Sequence, residues 1–247
     1  MTKLSVNLNK VALLRNSREG DNPRLLNFAE LCIKAGAHGL TIHPRPDQRH
    51  ARYADVYDLA ALAAEHKDFE LNIEGNPTDN FLQVVLDTKP HQCTLVPDDP
   101  DQLTSDHGWN LKEDADKLRA YVSLLHDAGI RTSIFLDPDL EQLQYLKHTG
   151  TDRIELYTEP YAQAFALENE VRVLKQFQDI AKQTQELGIG VNAGHDLNQQ
   201  NLGKFLSITD ILEVSIGHAL TIESLISGFE KTILNYLSII EATRRSA

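Results

Sequence analysis

The stretch GLTIHPRPDQRH, residues 39–50, joins an apolar run to a dense set of ionisable side chains. Leu40, Thr41 and Ile42 have the apolar and β-branched character of a buried strand. The prolines at positions 44 and 46 end any ladder or helix directly afterwards. The loop that follows carries the ionisable side chains of His43, Arg45, Arg49 and His50. A core strand that opens into such a loop indicates a site for proton transfer or anion binding at the end of that strand.

The same strand-like pattern recurs along the whole chain. The predicted strands cover residues 4–8, 39–43, 70–74, 92–96, 131–136, 153–157, 189–194 and 211–216. Amphipathic stretches separate them, and the predicted helices cover residues 23–36, 56–66, 80–88, 114–129, 140–150, 161–188 and 219–245. Eight strands that alternate with helices over this length predict an α/β fold, a (β/α)8 TIM barrel that spans residues 1–247 as a single domain.

A doubly wound open sheet is the alternative fold, since strand counting alone does not distinguish it from a barrel. No glycine-rich dinucleotide loop and no Walker loop follows any predicted strand, which weakens the nucleotide-binding form of this alternative. The segment 161–188 is long for one barrel helix. We therefore expect a break or an added helix within it.

Composition and charge restrict the class of partner. The 247 residues are 41% hydrophobic and 24% charged, which is typical of a soluble globular protein with an ample core. The net charge of −12 argues against nucleic acid, because phosphate backbones require a basic surface. Small phosphorylated substrates are compatible with this charge, since they need only a local cluster of donors.

The chain also lacks the sequence signals of membrane or secreted proteins. No apolar stretch reaches the length of about 18 residues that a membrane span needs, and no secretory signal precedes the first predicted strand. Cys32 and Cys93 are far apart and lie within apolar segments. This pattern predicts buried free thiols and a cytoplasmic protein.

Polar side chains gather at the carboxyl ends of the predicted strands, which is the end where barrel enzymes place their chemistry. In chain order these residues are Asn7, Asn9, His43, Arg45, His50, Glu74, Asp137, Glu155, His195, Gly217 and His218. The opposite ends carry Lys89, Arg131 and Arg153, which are predicted to be solvated starts of strands. This asymmetry predicts a catalytic site built from several strand ends.

Each of these residues also has a simpler structural interpretation. A histidine after a strand is usually a hydrogen-bonded turn residue, although His43 shares its loop with other cations. Glu74 and Glu155 are either solvated at the rim or point inward, where desolvation would raise the carboxyl pKa and suit proton transfer. Gly217 either permits a turn or frees main-chain N–H groups to bind a phosphate.

A metal site is the main chemical alternative. His43, His50, His195, His218 and Glu74 could together surround an ion, as in a metal-dependent barrel hydrolase that acts on a small phosphorylated substrate. No H-x-H follows the first strand and no H-E-x-x-H occurs in the chain, and the neighbouring arginines would repel a cation. We therefore predict no metal. A barrel that binds phosphorylated ligands without catalysis is the other alternative.

Several stretches together resemble the pyridoxine 5′-phosphate synthase family. They are VNLNKVALLRNSR (6–18), GLTIHPRPDQRH (39–50), LNIEGN (71–76), TKPHQCTLVPD (88–98), VNAGHDLN (191–198) and VSIGHAL (214–220). The resemblance implies a TIM barrel with additional helices, which assembles as a homo-octamer built from dimers. It also implies the condensation of 3-amino-2-oxopropyl phosphate with 1-deoxy-D-xylulose 5-phosphate to pyridoxine 5′-phosphate, phosphate and water, without metal or organic cofactor.

The resemblance assigns roles to individual positions. His43 and Glu74 resemble the family's proton acceptors, His195 resembles its proton donor, and Glu155 resembles a carboxylate that steadies charged intermediates. The positions that resemble the deoxyxylulose phosphate contacts are Asn9, Lys10, Arg45, His50 and Thr104. Those that resemble the aminoketone phosphate contacts are Asn7, Arg18, Asp196, Gly217 and His218.

This chain departs from the family pattern at two places. Asn9 and Lys10 stand where many members have an Asp-His pair, and Asp196 stands where many have glycine. The carboxylate of Asp196 would repel a phosphate unless it turned away, whereas a main-chain N–H contact would survive the change. Neither departure removes a predicted proton carrier, so the implied activity is retained.

Overall fold

The computed structural model describes residues 1–99, 102 and 104–246. Its eight strands are parallel and form a closed barrel in sequence order. They are β1 (Lys3–Asn7), β2 (Gly39–Ile42), β3 (Glu70–Gly75), β4 (Gln92–Leu95), β5 (Arg131–Leu136), β6 (Arg153–Tyr157), β7 (Gly190–Gly194) and β8 (Ile211–Ile216). The last strand pairs with the first, for example Ile216 with Val6. The predicted (β/α)8 barrel is therefore confirmed, and the open-sheet alternative is wrong.

The outer face of the barrel packs against a ring of helices. These are α1 (Asn9–Asn16), α2 (Leu25–Ala35), α3 (Tyr53–Ala64), α4 (Asp79–Thr88), α5 (Leu111–Asp127), α6 (Leu143–Thr149), α7 (Glu159–Ala166), α8 (Glu170–Glu186), α9 (Leu202–Phe205), α10 (His218–Ser227) and α11 (Phe229–Ser246). Buried strand residues such as Leu4, Leu40 and Ile73 belong to one apolar core with buried residues of these helices. Burial of this apolar surface is the main force that closes the helices onto the barrel.

Two long predicted helices are divided in the structure. The expected break in 161–188 is confirmed, since α7 ends at Ala166 and α8 begins at Glu170. The predicted helix 219–245 was wrong as one element, because Gly228 has a φ of 87° and separates α10 from α11. Glycine takes this left-handed backbone conformation at little cost, so it can end a helix inside an apolar pattern. The short helices α1 and α9 were not predicted.

Several buried side chains inside the barrel are polar and form hydrogen bonds between neighbouring strands. Ser5 and Thr41 hydroxyls are 2.7 Å apart, and the Asn72 amide donates to the Thr41 hydroxyl at 3.3 Å. Thr94 in turn donates to the Asn72 side-chain carbonyl at 3.0 Å. Each of these buried polar groups has a partner, which avoids the cost of about 1–3 kcal/mol for an unsatisfied buried group.

At the amino-terminal end of the barrel, the structure differs from the prediction that the charged residues there are solvated starts of strands. Arg131 is not a solvated strand start, because its guanidinium pairs with Glu70 and donates to the Gln92 side chain at 2.9 Å. Arg153 donates to the Asn192 side-chain carbonyl at 3.2 Å. Both arginines turn toward the polar interior because it offers them buried acceptors. Lys89 is exposed as predicted, but it ends α4 and does not begin a strand.

The structure also bears on the predictions about membrane-spanning helices and about the two cysteines. Within the described residues, no helix combines the length and the apolar character that crossing a membrane requires. Cys32 and Cys93 are buried free thiols, as predicted. Burial raises the pKa of both thiols, which keeps them in the neutral, unreactive form.

Candidate active site

A cavity of about 390 Å³ opens at the carboxyl end of the barrel. Because all eight strands are parallel, their carboxyl ends meet there, and side chains that are distant in sequence face one space. The predicted site residues that line it are Asn7, Asn9, Lys10, His43, Arg45, His50, Glu74, Thr104, Glu155, His195, Asp196, Gly217 and His218. The structure thus brings together the predicted site residues except Arg18 and Asp137, neither of which lines the cavity.

Arg18 lies just beyond the carboxyl end of α1, is exposed, and does not line the cavity. The buried arginine of this segment is Arg15, which donates to both carboxylate oxygens of Asp55, at 2.5 and 2.9 Å. Arg15 is therefore structural, since it ties α1 to the start of α3. The binding role of Arg18 stays a prediction.

Two glutamates face the floor of the cavity. Glu74 is the last residue but one of β3 and Glu155 lies in β6, and both are buried. Burial and then the neighbouring Glu155 raise the pKa of Glu74 well above its usual range. Burial and then Glu213 raise the pKa of Glu155 to about 8. Both carboxyls therefore favour the protonated form, and each can exchange a proton when a charged substrate enters.

The close approach of β7 to Glu155 explains the glycine in VNAGH. A Cβ atom at Gly194 would overlap the carboxylate of Glu155, so the main chain of β7 passes directly against it. One carboxylate oxygen, Oε2 of Glu155, has no hydrogen-bonding partner within the described residues. A buried acceptor of this kind is available to a bound ligand.

His43 and His50 form the second cluster of proton carriers. Their ring centroids are 5.9 Å apart, with the rings nearly perpendicular. Burial and then Arg45 lower the pKa of His43 well below its usual range, and the same two causes lower the pKa of His50 to about 4. Both imidazoles are therefore neutral near pH 7 and can accept a proton. Asn9 holds this loop, because its side-chain carbonyl accepts the main-chain N–H of His43 at 2.8 Å.

Arg45 forms a buried ion pair beside these histidines. Its guanidinium contacts the carboxylate of Asp98, and both side chains are buried. The other end of the guanidinium donates to the main-chain carbonyl of Gln102 at 2.6 Å. The Ser105 hydroxyl donates to the same Asp98 oxygen at 2.7 Å. Arg45 therefore faces the cavity and also ties the loop after β2 to the loop after β4.

The cavity wall at the end of β8 presents groups suited to an anion. Helix α10 begins at His218, so its first main-chain N–H groups lie at the cavity beside Gly217. The amino terminus of a helix favours negative charge through these unpaired N–H groups. A Cβ atom at Gly217 would lie 2.9 Å from that of Asn7, so glycine is needed where β1 and β8 meet.

His195 and Asp196 follow β7 in an unusual backbone conformation. Their φ angles are 79° and 58°, in the left-handed region where glycine is the usual residue. Aspartate tolerates this region better than most residues, which accounts for Asp196 at a position where glycine would be expected. The Asp196 side chain is exposed, and its main-chain carbonyl accepts the Asn201 amide at 3.0 Å. Backbone strain of this kind occurs mainly where a side chain must be aimed at a site.

Sequence reasoning missed part of the cavity wall. Arg49 of the ionisable loop lines the cavity as well, and the residues that were not predicted are Leu13, Ser105, Tyr157, Glu159 and Ser215. Tyr157 and Glu159 follow Glu155 at every second position, so strand periodicity could have identified Tyr157 as a second inward side chain. Ser105 could not have been found in this way, because it belongs to an irregular loop. Among the described residues, no group of three or more histidine, cysteine, aspartate or glutamate side chains is arranged to hold a metal ion.

Comparison with known proteins gives a consistent result. The model of the family described as "Pyridoxal phosphate biosynthesis protein PdxJ" matches residues 4–242. A pyridoxine 5′-phosphate synthase of Bacteroides thetaiotaomicron is 51% identical over 237 residues, which are 96% of this chain and 98% of that protein. A pyridoxine 5′-phosphate synthase of Albidiferax ferrireducens is 48% identical over 249 residues, covering 98% of this chain and 99% of that protein.

Solved structures with much lower identity share the barrel. A 3-keto-L-gulonate-6-phosphate decarboxylase from Vibrio cholerae superposes with a TM-score of 0.67 at 9% identity and covers 98% of each chain. At this identity the likeness shows the fold alone. The family match, by contrast, runs from the first strand into the last helix at about half identity with curated relatives. The chain therefore belongs to the PdxJ family of pyridoxal phosphate biosynthesis proteins.

Proposed function

We propose that this chain is a pyridoxine 5′-phosphate synthase, an enzyme of vitamin B6 biosynthesis. It would condense 3-amino-2-oxopropyl phosphate with 1-deoxy-D-xylulose 5-phosphate to give pyridoxine 5′-phosphate, phosphate and water. One observation carries the proposal: His43, Glu74 and His195 reach one cavity from three different strand ends, and Glu155 joins them from a fourth. Family membership and curated relatives with this name support it.

The residues suit the chemistry of ring closure. Imine formation, loss of phosphate and water, and carbon–carbon closure each move protons, so acids and bases are needed on different sides of the substrate. The neutral imidazole of His43 and the carboxylate form of Glu74 would accept protons, and His195 would donate them. Glu155, whose Oε2 has no hydrogen-bonding partner among the described residues, would stabilise a cationic intermediate. No metal or organic cofactor is part of this proposal.

Two phosphorylated substrates need two separate sets of donors. The deoxyxylulose phosphate would bind on the side of Arg45, His50 and Thr104, with Asn9 and Lys10 at the exit of β1. The aminoketone phosphate would bind at Gly217, His218 and the amino terminus of α10, with Asn7, Arg18 and Asp196 contributing. Arginine and main-chain N–H groups are the usual protein ligands of phosphate. The exposed carboxylate of Asp196 would have to turn outward, and only its main chain would face the anion.

The direct test is conversion of the two phosphates by the purified protein. We expect pyridoxine 5′-phosphate, detected by its absorbance and confirmed by mass, without added metal and at an unchanged rate in the presence of a chelator. Product that required a divalent ion and stopped with chelator would favour the metal-dependent alternative. Binding of both phosphates without any product would indicate a non-catalytic barrel.

Arg45→Lys is expected to raise KM for 1-deoxy-D-xylulose 5-phosphate more than it lowers kcat. The planar guanidinium can keep Asp98 and still offer N–H groups to a phosphate, whereas a lysine ammonium is a single point of charge. Steady-state kinetics with each substrate varied in turn would measure this. An unchanged KM for the deoxyxylulose phosphate would remove Arg45 from the binding site and leave it a structural role through its contacts to Asp98 and Gln102.

We also propose that residues 1–247 act as one domain, in the cytoplasm, as a homo-octamer built from dimers and without a nucleic-acid partner. The buried free thiols and the net charge of −12 support the compartment and the absence of nucleic acid. Exposed apolar side chains on α1 and α10, among them Leu14, Leu225 and Ile226, support association with further subunits. Light scattering coupled to size-exclusion chromatography would measure the assembly, and a stable monomer would contradict it.

A further inference from the structure

The imidazole of His195 is held differently from the other proton carriers of the cavity. Within the described residues its ring nitrogens have no hydrogen-bonding partner, and its ring contacts are with Phe135 and Tyr157, each at a centroid distance of 5.2 Å. Its main chain is fixed separately, because the Thr158 hydroxyl donates to the His195 carbonyl. The two aromatic rings therefore flank the imidazole and restrict the direction in which it points.

Tyr157 is itself anchored. Its hydroxyl donates to Oε2 of Glu159, and Oε1 of that carboxylate accepts the Gln163 amide at 2.8 Å. The Tyr157 ring is buried and packs against Phe135 at a centroid distance of 5.5 Å. Glu159 and Tyr157 both line the cavity. A chain of contacts thus runs from the Glu159 carboxylate through the Tyr157 ring to the imidazole.

We propose that Tyr157 and Glu159 are positioning residues for His195: Glu159 anchors the Tyr157 hydroxyl, and the Tyr157 ring holds the imidazole toward the substrate. The inference rests on the proposed function, in which His195 is the proton donor. A catalytic histidine is usually oriented by a hydrogen bond between its second ring nitrogen and another group, and for metal-bound histidines the loss of that group typically costs about 10- to 100-fold. Here the nearly perpendicular Tyr157 ring takes the place of that hydrogen bond.

Glu159 also acts through its charge. Burial lowers the pKa of His195, whereas the nearby carboxylates of Asp196 and Glu159 oppose that effect. The other charged or titratable groups that affect it or are affected by it are Lys10, Arg45 and His43. Loss of the Glu159 charge should therefore lower the pKa of His195 further, and a proton donor would then lose its proton at a lower pH.

Three tyrosine variants separate positioning from a general effect on stability. Tyr157→Phe keeps the ring and removes its anchor, and we expect kcat to fall by about 3- to 10-fold, the equivalent of one hydrogen bond. Tyr157→Leu removes the ring, and we expect a fall of about 10- to 100-fold. Tyr236→Phe is the matched control, because it removes a buried hydroxyl that donates to Glu223 at 2.6 Å without touching His195. Equal kcat per folded molecule in Tyr157→Phe, Tyr157→Leu and the control would overturn the proposal.

Glu159→Gln tests the charge by itself, since the glutamine side-chain carbonyl can still accept the Tyr157 hydroxyl. We expect the alkaline limb of the kcat profile to move to lower pH, and an unmoved limb would contradict the role of Glu159. Crystal structures of the Tyr157→Leu variant and of the parent protein test the positioning role without a measurement of activity. We expect the His195 ring to leave its position in the variant. An unmoved His195 ring would contradict the positioning role. A displaced ring in a protein that makes no product would count against the proposed function alone.

Discussion

Replacing His195 with asparagine is expected to lower kcat by about 10²- to 10⁴-fold, the usual effect of removing one positioned acid or base. Asparagine is the appropriate replacement because His195 has a φ of 79°, and asparagine adopts this left-handed conformation more readily than most residues. The hydrogen bond from the Thr158 hydroxyl to the main-chain carbonyl of residue 195 should persist. The loss should therefore be one of chemistry and not of fold.

The pH dependence of kcat gives a second test of His195. Burial lowers the pKa of His195, so its imidazole is largely neutral when no substrate is bound. Bound phosphate dianions would raise the pKa of His195 again. A donor must be protonated, so kcat should fall as the pH rises through the pKa of His195 in the complex. His148→Asn is the control, since His148 is an exposed histidine that contacts Asp116 at 2.6 Å on the outside of the barrel. If His195→Asn kept kcat near that of the parent and lost only thermal stability, His195 would merely hold its loop.

Glu74→Gln is expected to lower kcat by a similar factor of about 10² to 10⁴ while the fold is retained. Glu74 is buried, and its raised pKa means that it must lose a proton, helped by the cationic aminoketone, before it can act as a base. For the parent protein, kcat/KM should therefore rise with pH through a pKa above the usual glutamate range. Glu155, with a pKa raised to about 8, would contribute to the same limb, so Glu155→Gln should be measured beside it.

The Glu74→Gln substitution should change the thermal stability of the protein in the opposite direction to its kcat. The pKa of Glu74 is higher in the folded protein than in the unfolded chain, so folding takes up protons at this site and stability falls as the pH rises through that interval. Glu74→Gln removes this penalty, and its melting temperature at pH 8 should equal or exceed that of the parent. Asp137→Asn is the control, because burial also raises the pKa of Asp137 but this residue does not line the cavity. A normal kcat in Glu74→Gln would strike Glu74 from the catalytic residues.

The two variants need not act additively when they are combined. His195 and Glu74 would serve partly different steps, so a step slowed by one loss can mask the effect of the other. A double variant whose kcat is close to that of the slower single variant would be consistent with proton transfers in sequence.

Some features of this protein could be predicted from short-range sequence patterns. Each strand of the barrel was predicted within one or two residues, because a short apolar run bounded by turn residues is a local signal. The polar strand ends, such as His43 and Glu74, could be recognised because parallel strands in a barrel place their carboxyl ends together. The division of α10 from α11 was missed, since the apolar pattern continues across Gly228 and only its left-handed backbone breaks the helix.

The sequence by itself therefore determined the strand order, the end of the barrel that carries the chemistry, and the residue types gathered there. Only the tertiary structure decided which groups are paired: Arg45 with Asp98, Arg131 with Glu70, and Tyr157 with Glu159 beside His195. It also placed Arg18 outside the cavity, although its sequence motif is intact. The physical reason is that a strand's period depends on neighbouring residues, whereas burial, pairing and pKa depend on atoms that the closed barrel brings together from distant parts of the chain.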